Sequence, residues 1–195
     1  ISRGVHDFTY IENLINESID LLAESNEWVR VSAALNNLGI VLRKQGKIKE
    51  SINTYQRSLQ IKQKTGDSLG MASTLTNLGL VQAQAKDYSS SFQTFYQAID
   101  LLIKLNLPHG VPGILGNLAR AMMLSKDWHN ATIIFGSSER VYSDIGKKSV
   151  FDSTERKEWL NDLQENISDP EFSHLFDFGY SNARAWSDDE DICFR

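Results

Sequence analysis

The sequence repeats itself with a period of 40 residues. The stretch at 34–39 reads A-L-N-N-L-G, the stretch at 74–79 reads T-L-T-N-L-G, and the stretch at 114–119 reads I-L-G-N-L-A. A fixed period of ~20 to 50 residues is typical of stacked repeats, in which each repeat is one small structural unit. The chain is therefore predicted to fold as an array of such units.

The rest of each unit follows in the same register. Three further columns align: the start of a second segment (Lys47, Asp87 and Asp127), an aromatic position (Tyr55, Phe95 and Phe135) and a closing residue (Gly66, Asn106 and Gly146). Counted backwards, Asp7 falls in the column of Asp87 and Ile15 in that of Tyr55. The chain is thus expected to begin halfway through a unit, as a fragment of a longer protein.

The units are predicted to be pairs of helices, because apolar residues recur at helical spacing and no long run alternates apolar with polar residues. The expected helices cover about residues 7–24, 28–44, 48–64, 69–84, 88–104, 112–124 and 128–144. Gly66 is expected to end the third of them, since glycine accepts a left-handed backbone. Two helices bury only part of an apolar face, so each pair must stack on its neighbours.

Small residues mark where the helices of a pair approach each other. They occupy two columns: Gly39, Gly79 and Ala119 on the first helix, and Ser58, Ala98 and Ser138 on the second. The bulky column of Tyr55 is expected to fill the gap between units.

The 40-residue register stops after Gly146, so residues 1–150 are interpreted as the array and residues 151–195 as C-terminal capping helices. Within the array we expect a half repeat at 7–26 and repeats at about 28–66, 68–106 and 110–146. Residues 152–155 read as a capping box before a helix whose apolar face is Trp159, Leu160, Leu163 and Ile167. Another short helix is expected to start at Pro170 and stop at Gly179, and Ser187 with Glu190 to cap a last segment.

Composition excludes several classes of function. The formal net charge is -5 with scattered Lys and Arg, which argues against nucleic acid or a membrane surface as a partner. No apolar run is long enough to span a membrane. The single cysteine, Cys193, leaves no internal disulfide framework and is typical of a cytoplasmic protein.

Catalytic motifs are not found in the sequence. None of the common phosphate-binding, dinucleotide-binding, zinc-protease or serine-hydrolase patterns occurs, and the four histidines lack ligand spacing. The acidic run at 188–191 is explained most simply by a helix N-terminus. We therefore expect neither an enzyme nor a cofactor or metal site.

The pattern L-x-x-L-G, followed by a small residue, an aromatic and another small residue, resembles the tetratricopeptide repeat (TPR) over residues 7–146. The 40-residue period is similar to the extended repeats of kinesin light chains, LGN-type adaptors and bacterial Rap-type peptide receptors. The resemblance implies an all-α fold, an α-α superhelix of TPR helix pairs with a C-terminal helical cap. It also implies a non-catalytic module that binds a peptide or protein.

The tail is similar to a narrower group. Residues 131–146, together with Phe172, Phe176 and Gly179, resemble the end of the repeat region in bacterial STAND-type regulators, although Phe176 replaces a tryptophan. In that family a nucleotide-binding module is switched by a C-terminal repeat sensor. The resemblance implies that this chain is the sensor or interaction region of a larger signalling or transcription regulator.

The TPR resemblance also implies a concave groove lined by the first helix of each pair, in which asparagines grip the backbone of an extended peptide. The residues at the matching positions are Asn36, Asn37, Ile40, Arg43, Lys44, Thr76, Asn77, Leu80, Gln84, Asn117 and Arg120. Arg43, Lys44 and Arg120 favour a ligand with some negative charge.

Two alternatives stay open at this stage. The asparagines at 37, 77 and 117 could bond the facing backbone merely to satisfy their own amides. The array could also be an architectural spacer or a self-association module with no groove ligand, which would allow a homo-oligomer.

Overall fold

The described residues are all-α. The structure is a computed structural model that describes residues 3–144, 146 and 153–182, and this part of the chain holds no strand. Its α-helices are α1 (Arg3–Glu24), α2 (Trp28–Lys44), α3 (Ile48–Thr65), α4 (Ser68–Gln84), α5 (Tyr88–Lys104), α6 (Val111–Leu124), α7 (Trp128–Asp144), α8 (Ser153–Asn166) and α9 (Asp169–Asn182). A short 3-10 turn, Pro108–Gly110, precedes α6. The predicted fold class is confirmed.

The chain divides into two compact units, residues 1–101 and 102–195. In the first unit α1 packs on α2, α2 on α3, and α3 on α4. In the second unit α6 packs on α7, and α7 contacts both α8 and α9. Within each unit, the helices named here thus pack on the next helix along the chain, as expected for helix pairs.

Residues with a left-handed backbone conformation follow the ends of the helices. The closing column predicted from the sequence has positive φ throughout, at Asn26 (57°), Gly66 (74°), Asn106 (54°) and Gly146 (64°). A second column lies between the helices of a pair, at Gly46 (78°), Lys86 (63°) and Lys126 (65°). The same backbone conformation at a constant spacing keeps the 40-residue register even where glycine is absent.

The two helices of a pair approach closely where the sequence places its small residues. A Cβ added to Gly39 would lie 2.5 Å from the ring of Tyr55, and one added to Gly79 would lie 2.9 Å from the ring of Phe95. Tyr55 also packs with Leu78 of the next pair, so its ring fills the space between pairs. The roles predicted for the small and bulky columns are confirmed at these positions.

Serine hydroxyl groups on the second helix of a pair bond backbone carbonyls of the first. Four such bonds of 2.7–2.8 Å recur at two register positions: Ser51 to Gly39, Ser91 to Gly79, Ser58 to Ser32, and Ser138 to Pro112. The hydroxyl satisfies itself on a carbonyl that already belongs to a helix, so it can be buried at the interface at little cost.

The C-terminal helices cover the last pair. Trp159, Leu163 and Ile167 of α8 are buried, as predicted for the apolar face of that helix. Phe176 of α9 lies 6.3 Å, centroid to centroid, from the buried Phe135 of α7. These contacts make α8 and α9 part of the hydrophobic core of the second unit.

The prediction that Gly179 stops the last helix is wrong. Helix α9 continues to Asn182, and Gly179 is buried within it against the backbone of Ile133 in α7. Gly136 of α7 packs in the same way against the backbone of Phe176. Gly179 is thus needed for a close helix crossing and not for a left-handed turn. The predicted capping residues Asp152, Ser187 and Glu190 lie outside the described residues.

Candidate peptide-binding groove

The polar residues predicted to line the groove lie on α2 and α4 in the first unit. Asn36, Thr76 and Asn77 are half-buried, whereas Asn37 is exposed. A half-buried amide keeps part of its surface in contact with solvent while the neighbouring helix fixes its position. This is a suitable setting for a side chain that must bond a ligand.

One hydrogen bond connects the two helices on this surface. The Nδ2 of Asn77 donates to the Oδ1 of Asn36 over 3.2 Å. The bond joins two side chains. It therefore differs from the alternative raised by the sequence, in which the asparagine amide bonds the backbone of the facing helix. Each amide retains further donor and acceptor capacity, because an asparagine side chain carries two N–H groups and an oxygen with two lone pairs.

Apolar residues flank the Asn36–Asn77 pair. Ile40 and Leu80 are both half-buried, and Ile40 packs against the cluster of Tyr55, Leu78 and Val81. The hydroxyl of Thr76 donates back to the carbonyl of Ala72 in its own helix over 2.9 Å. Thr76 therefore contributes mainly its methyl group to this surface.

Basic residues lie at the C-terminal end of α2. Lys44 is exposed, as is Gln84 at the end of α4, whereas Arg43 is half-buried. Burial raises the pKa of Tyr55 to about 12, and the positive charge of nearby Arg43 opposes that rise. Arg43 is therefore held beside the core of the first pair, whereas Lys44 is exposed to solvent.

The remaining predicted residues, Asn117 and Arg120, belong to the second unit. Asn117 is half-buried on α6. Arg120 is exposed, and its guanidinium carbon lies 5.7 Å from the centre of the Trp159 ring. The cation–π contact gives Arg120 a structural partner that the repeat pattern did not predict.

The sequence reasoning missed an open depression along α5. It has a volume of about 530 Å³ and is lined by one face of that helix: Ser89, Phe92, Gln93, Tyr96, Gln97 and Asp100. Their spacing of three and four residues, with two aromatics among them, was visible in the sequence. The same spacing is typical of any amphipathic helix, so it does not by itself indicate a depression.

Other chemistry is poorly represented in the described residues. No group of three or more His, Cys, Asp or Glu side chains there could hold a metal ion. His129 bonds Glu171 over 2.8 Å at an exposed site on the second unit. Among the same residues, no helix combines the length and apolarity needed to cross a membrane.

Comparisons with known proteins agree with this geometry. Residues 30–104 match the family model described as tetratricopeptide repeat. None of the curated proteins matches the chain significantly.

Two solved structures are similar in fold. The crystal structure of BtubC (BKLC) from P. vanneervenii has a TM-score of 0.72 at 14% identity, with 97% of this chain and 78% of that chain covered. The apo form of RapI has a TM-score of 0.67 at 16% identity, with 93% of this chain covered. This chain spans 63% of the RapI chain.

Residues 30–104 thus match the tetratricopeptide repeat model, and the all-α fold of helix pairs is similar to that of both solved structures.

Proposed function

We propose that α2 and α4 bind an extended peptide segment of a partner protein. The Asn36–Asn77 pair is the observation that carries this proposal. It sets two amides of successive repeats side by side on a half-exposed surface. An amide donates and accepts at once, so the pair can follow the alternating N–H and C=O groups of a peptide backbone.

Ligand side chains would contact the residues beside the amides. Ile40 and Leu80 offer apolar contact on either side, and Asn37, Lys44 and Gln84 are exposed along the same two helices. The cations Arg43 and Lys44 favour an acidic side chain or a C-terminal carboxylate on the ligand. In the second unit, Asn117 and Arg120 are proposed to serve the same ligand class.

We further propose that this module is the sensor region of a larger bacterial regulator. The residues that carry the STAND-type resemblance come together at the α7–α9 crossing, where Gly136, Phe176 and Gly179 pack. In a full-length regulator of this kind, adding the peptide should change nucleotide hydrolysis or the output of the effector domain. An output that does not respond to a peptide known to bind the module would refute the sensor role.

A peptide library tests groove binding. Peptides captured by the wild-type chain should be lost from the Asn37→Ala/Asn77→Ala/Asn117→Ala variant. For a single captured peptide, Asn77→Ala should weaken binding by about fivefold, since a net hydrogen bond contributes ~1 kcal/mol. The exposed Asn53 of α3 gives a matched control, and Asn53→Ala should bind as the wild type does.

Thermal melts separate binding from folding. A triple variant that melts like the wild type and captures the same peptides would contradict the proposal. A variant that fails to fold would favour the reading in which the asparagines are structural and the array is a spacer. The cations are tested by Arg43→Ala and Lys44→Ala, which should flatten the salt dependence of binding, because salt screens charge pairs far more than amide bonds.

A further inference from the structure

Buried polar atoms without a hydrogen-bond partner lie on three successive helices of the first unit. Among the described residues they include the Nε of Arg43 on α2, the hydroxyl oxygen of Tyr55 on α3 and the Oε1 of Gln82 on α4. A buried donor or acceptor that is left unpaired costs free energy, and native proteins pair the great majority of them. We call these three residues the polar cluster.

The columns of the polar cluster hold apolar residues in the other repeats. These residues are buried, each with at most 7% of its surface exposed: Phe95 and Phe135 in the column of Tyr55, Ala83 and Met123 in that of Arg43, and Leu42 and Met122 in that of Gln82. Apolar side chains therefore satisfy the packing at all three positions. One charged and two polar residues there need a reason other than packing.

The polar cluster lies where the first helix pair contacts the second. Tyr55 packs with Leu78 and Val81 of α4, and Gln82 is the next residue on that helix. Arg43 lies close enough to Tyr55 for its positive charge to act on the hydroxyl. Burial raises the pKa of Tyr55 to about 12, and the charge of Arg43 opposes the rise.

Equivalent positions in the repeat place Gln82 on the side of α4 that faces Tyr55. Leu42, the equivalent of Gln82, belongs to a buried cluster against which Ile15 of α1 packs. Ile15 is the equivalent of Tyr55. Gln82 and Tyr55 thus occupy the two sides of the same kind of contact, and Arg43 joins them from α2.

The polar cluster adjoins the surface proposed to bind a peptide. Arg43 lies seven residues after Asn36, so both are on one face of α2. Tyr55 is fully buried, whereas Arg43 and Gln82 are half-buried and have long side chains. The edge of the cluster is therefore open to solvent on the side of α2 and α4.

The hydrogen-bonding groups of the cluster suit a carboxylate. Arg43 carries a positive charge and an unused N–H, Tyr55 carries an O–H, and Gln82 carries an amide that can present its NH2 group. An ionised carboxylate accepts hydrogen bonds at both oxygens and bonds a guanidinium more strongly than a neutral group does. An apolar or amide side chain of a ligand would leave the charge of Arg43 without a counterion.

We propose that the polar cluster binds the carboxylate of an aspartate or glutamate side chain of the peptide, which it reaches by rotamer changes in Arg43 and Gln82. This site rests on the function proposed above, since its ligand is the peptide held by α2 and α4. Asn36 and Arg43 are seven residues apart, or ~10 Å along a helix. An extended peptide covers ~3.4 Å per residue, so the acidic residue should lie about three residues from the backbone that the Asn36–Asn77 pair bonds.

Three substitutions test the polar cluster, and each installs the residue of another repeat: Tyr55→Phe, Gln82→Met and Arg43→Ala. Tyr55→Phe and Gln82→Met should leave the melting temperature unchanged or raise it, because each removes a buried polar atom without a partner. Each of the three should nonetheless weaken the binding of an acidic peptide from the library by about fivefold, the loss expected for one hydrogen bond. Tyr10→Phe removes a hydroxyl from an exposed residue of α1 and is the matched control, which should change neither property.

A second peptide separates this site from the amide contacts. The first peptide has a single glutamate or aspartate, which the second replaces by glutamine or asparagine. Both carry a C-terminal amide, so that the acidic side chain supplies the carboxylate. The second peptide should bind the wild type and Tyr55→Phe with equal affinity, so the fivefold loss should be confined to the acidic peptide.

Captured peptides that share no acidic residue, or that require a free C-terminus for binding, would overturn this site. So would an acidic peptide that binds Tyr55→Phe as tightly as the wild type. The amide contacts would stand in either case if capture is still lost from the Asn37→Ala/Asn77→Ala/Asn117→Ala variant. A Tyr55→Phe variant that melts lower and binds both peptides less tightly would show a structural hydroxyl and also overturn the site. A library without any bound peptide would overturn the groove and this site together.

Discussion

Replacing Gly179 with alanine should destabilise the second unit, although alanine is normally the better residue inside a helix. A Cβ at position 179 would lie 2.8 Å from the carbonyl carbon of Ile133 and nearer still to its oxygen. Ordinary contact begins at 3.4 Å, and the obstacle is backbone, which cannot rotate away. Helix α9 would have to move away from α7 by at least about 0.6 Å, the difference between these two distances, because the oxygen lies closer than the carbon.

The free energy of unfolding should fall by about 3 kcal/mol. Overpacking against backbone costs ~3 kcal/mol, at the upper end of the usual range. Displacing α9 also breaks the 3.0 Å hydrogen bond from Ser137 to the carbonyl of Gly179, which costs ~1 kcal/mol. The higher helix propensity of alanine relative to glycine offsets ~1 kcal/mol of this loss. For a chain of this size, the melting temperature should drop by about 6–12 °C.

Urea unfolding followed by far-UV circular dichroism measures this change. Ser181→Ala, at an exposed position two residues along α9, should leave the midpoint nearly unchanged. If Gly179→Ala instead raised stability by ~1 kcal/mol, as it would at an exposed helical glycine, the close crossing of α7 and α9 would be refuted.

Three further predictions concern the first unit. Lys62, 4% exposed, donates to Asp67 over 3.0 Å, and this bond, with a backbone bond from Gly70, holds the pKa of Asp67 below its usual value. The pair therefore stabilises the fold at neutral pH and stops doing so as pH falls through that lowered pKa. Asp67→Asn should cost about 2–3 kcal/mol at pH 7 and less in acid, as measured by urea melts at several pH values; an equal loss at all pH values would contradict this. Leu78→Asp should cost several kcal/mol by burying an unpaired charge, so an unchanged melting temperature would refute the repeat register. Lys86→Gly should raise the free energy of unfolding by up to ~1 kcal/mol, and with it the urea midpoint, because it relieves a φ of 63°; a lowered midpoint would count against that strain.

The fold was largely predictable because one period fixed helix length, pairing and turns together. The predictions fail where the same residue type can play two structural roles. Gly179 reads as a helix stop, yet its role depends on Ile133, which lies 46 residues away in sequence. Lys62 lies in a column that otherwise holds Leu102 and Tyr142, so the sequence gives no reason for a buried charge there. The structure shows the reason, because the ammonium of Lys62 is paired with the carboxylate of Asp67.

The candidate groove was less predictable than the fold. The repeat pattern predicts that Asn36 and Asn77 lie on the same surface. It does not predict their hydrogen bond, because the two residues lie at positions offset by one within their repeats. A shared face follows from helix periodicity, whereas side-chain contact depends on how the helices pack. For the same reason the contact of Arg120 with Trp159, across two helices of the second unit, had no signal in the pattern.

Site-specific photo-crosslinking tests the groove most directly. A benzophenone amino acid at Leu80, half-buried between the proposed amide and cation contacts, is compared with one at Gln56, exposed on α3. With a peptide selected from the library, we predict strong crosslinking at position 80 and little at position 56. The signal at position 80 should be lost in the Asn36→Ala/Asn77→Ala background. Equal crosslinking at both positions, or a Leu80 signal unaffected by removing the two amides, would contradict the proposed groove.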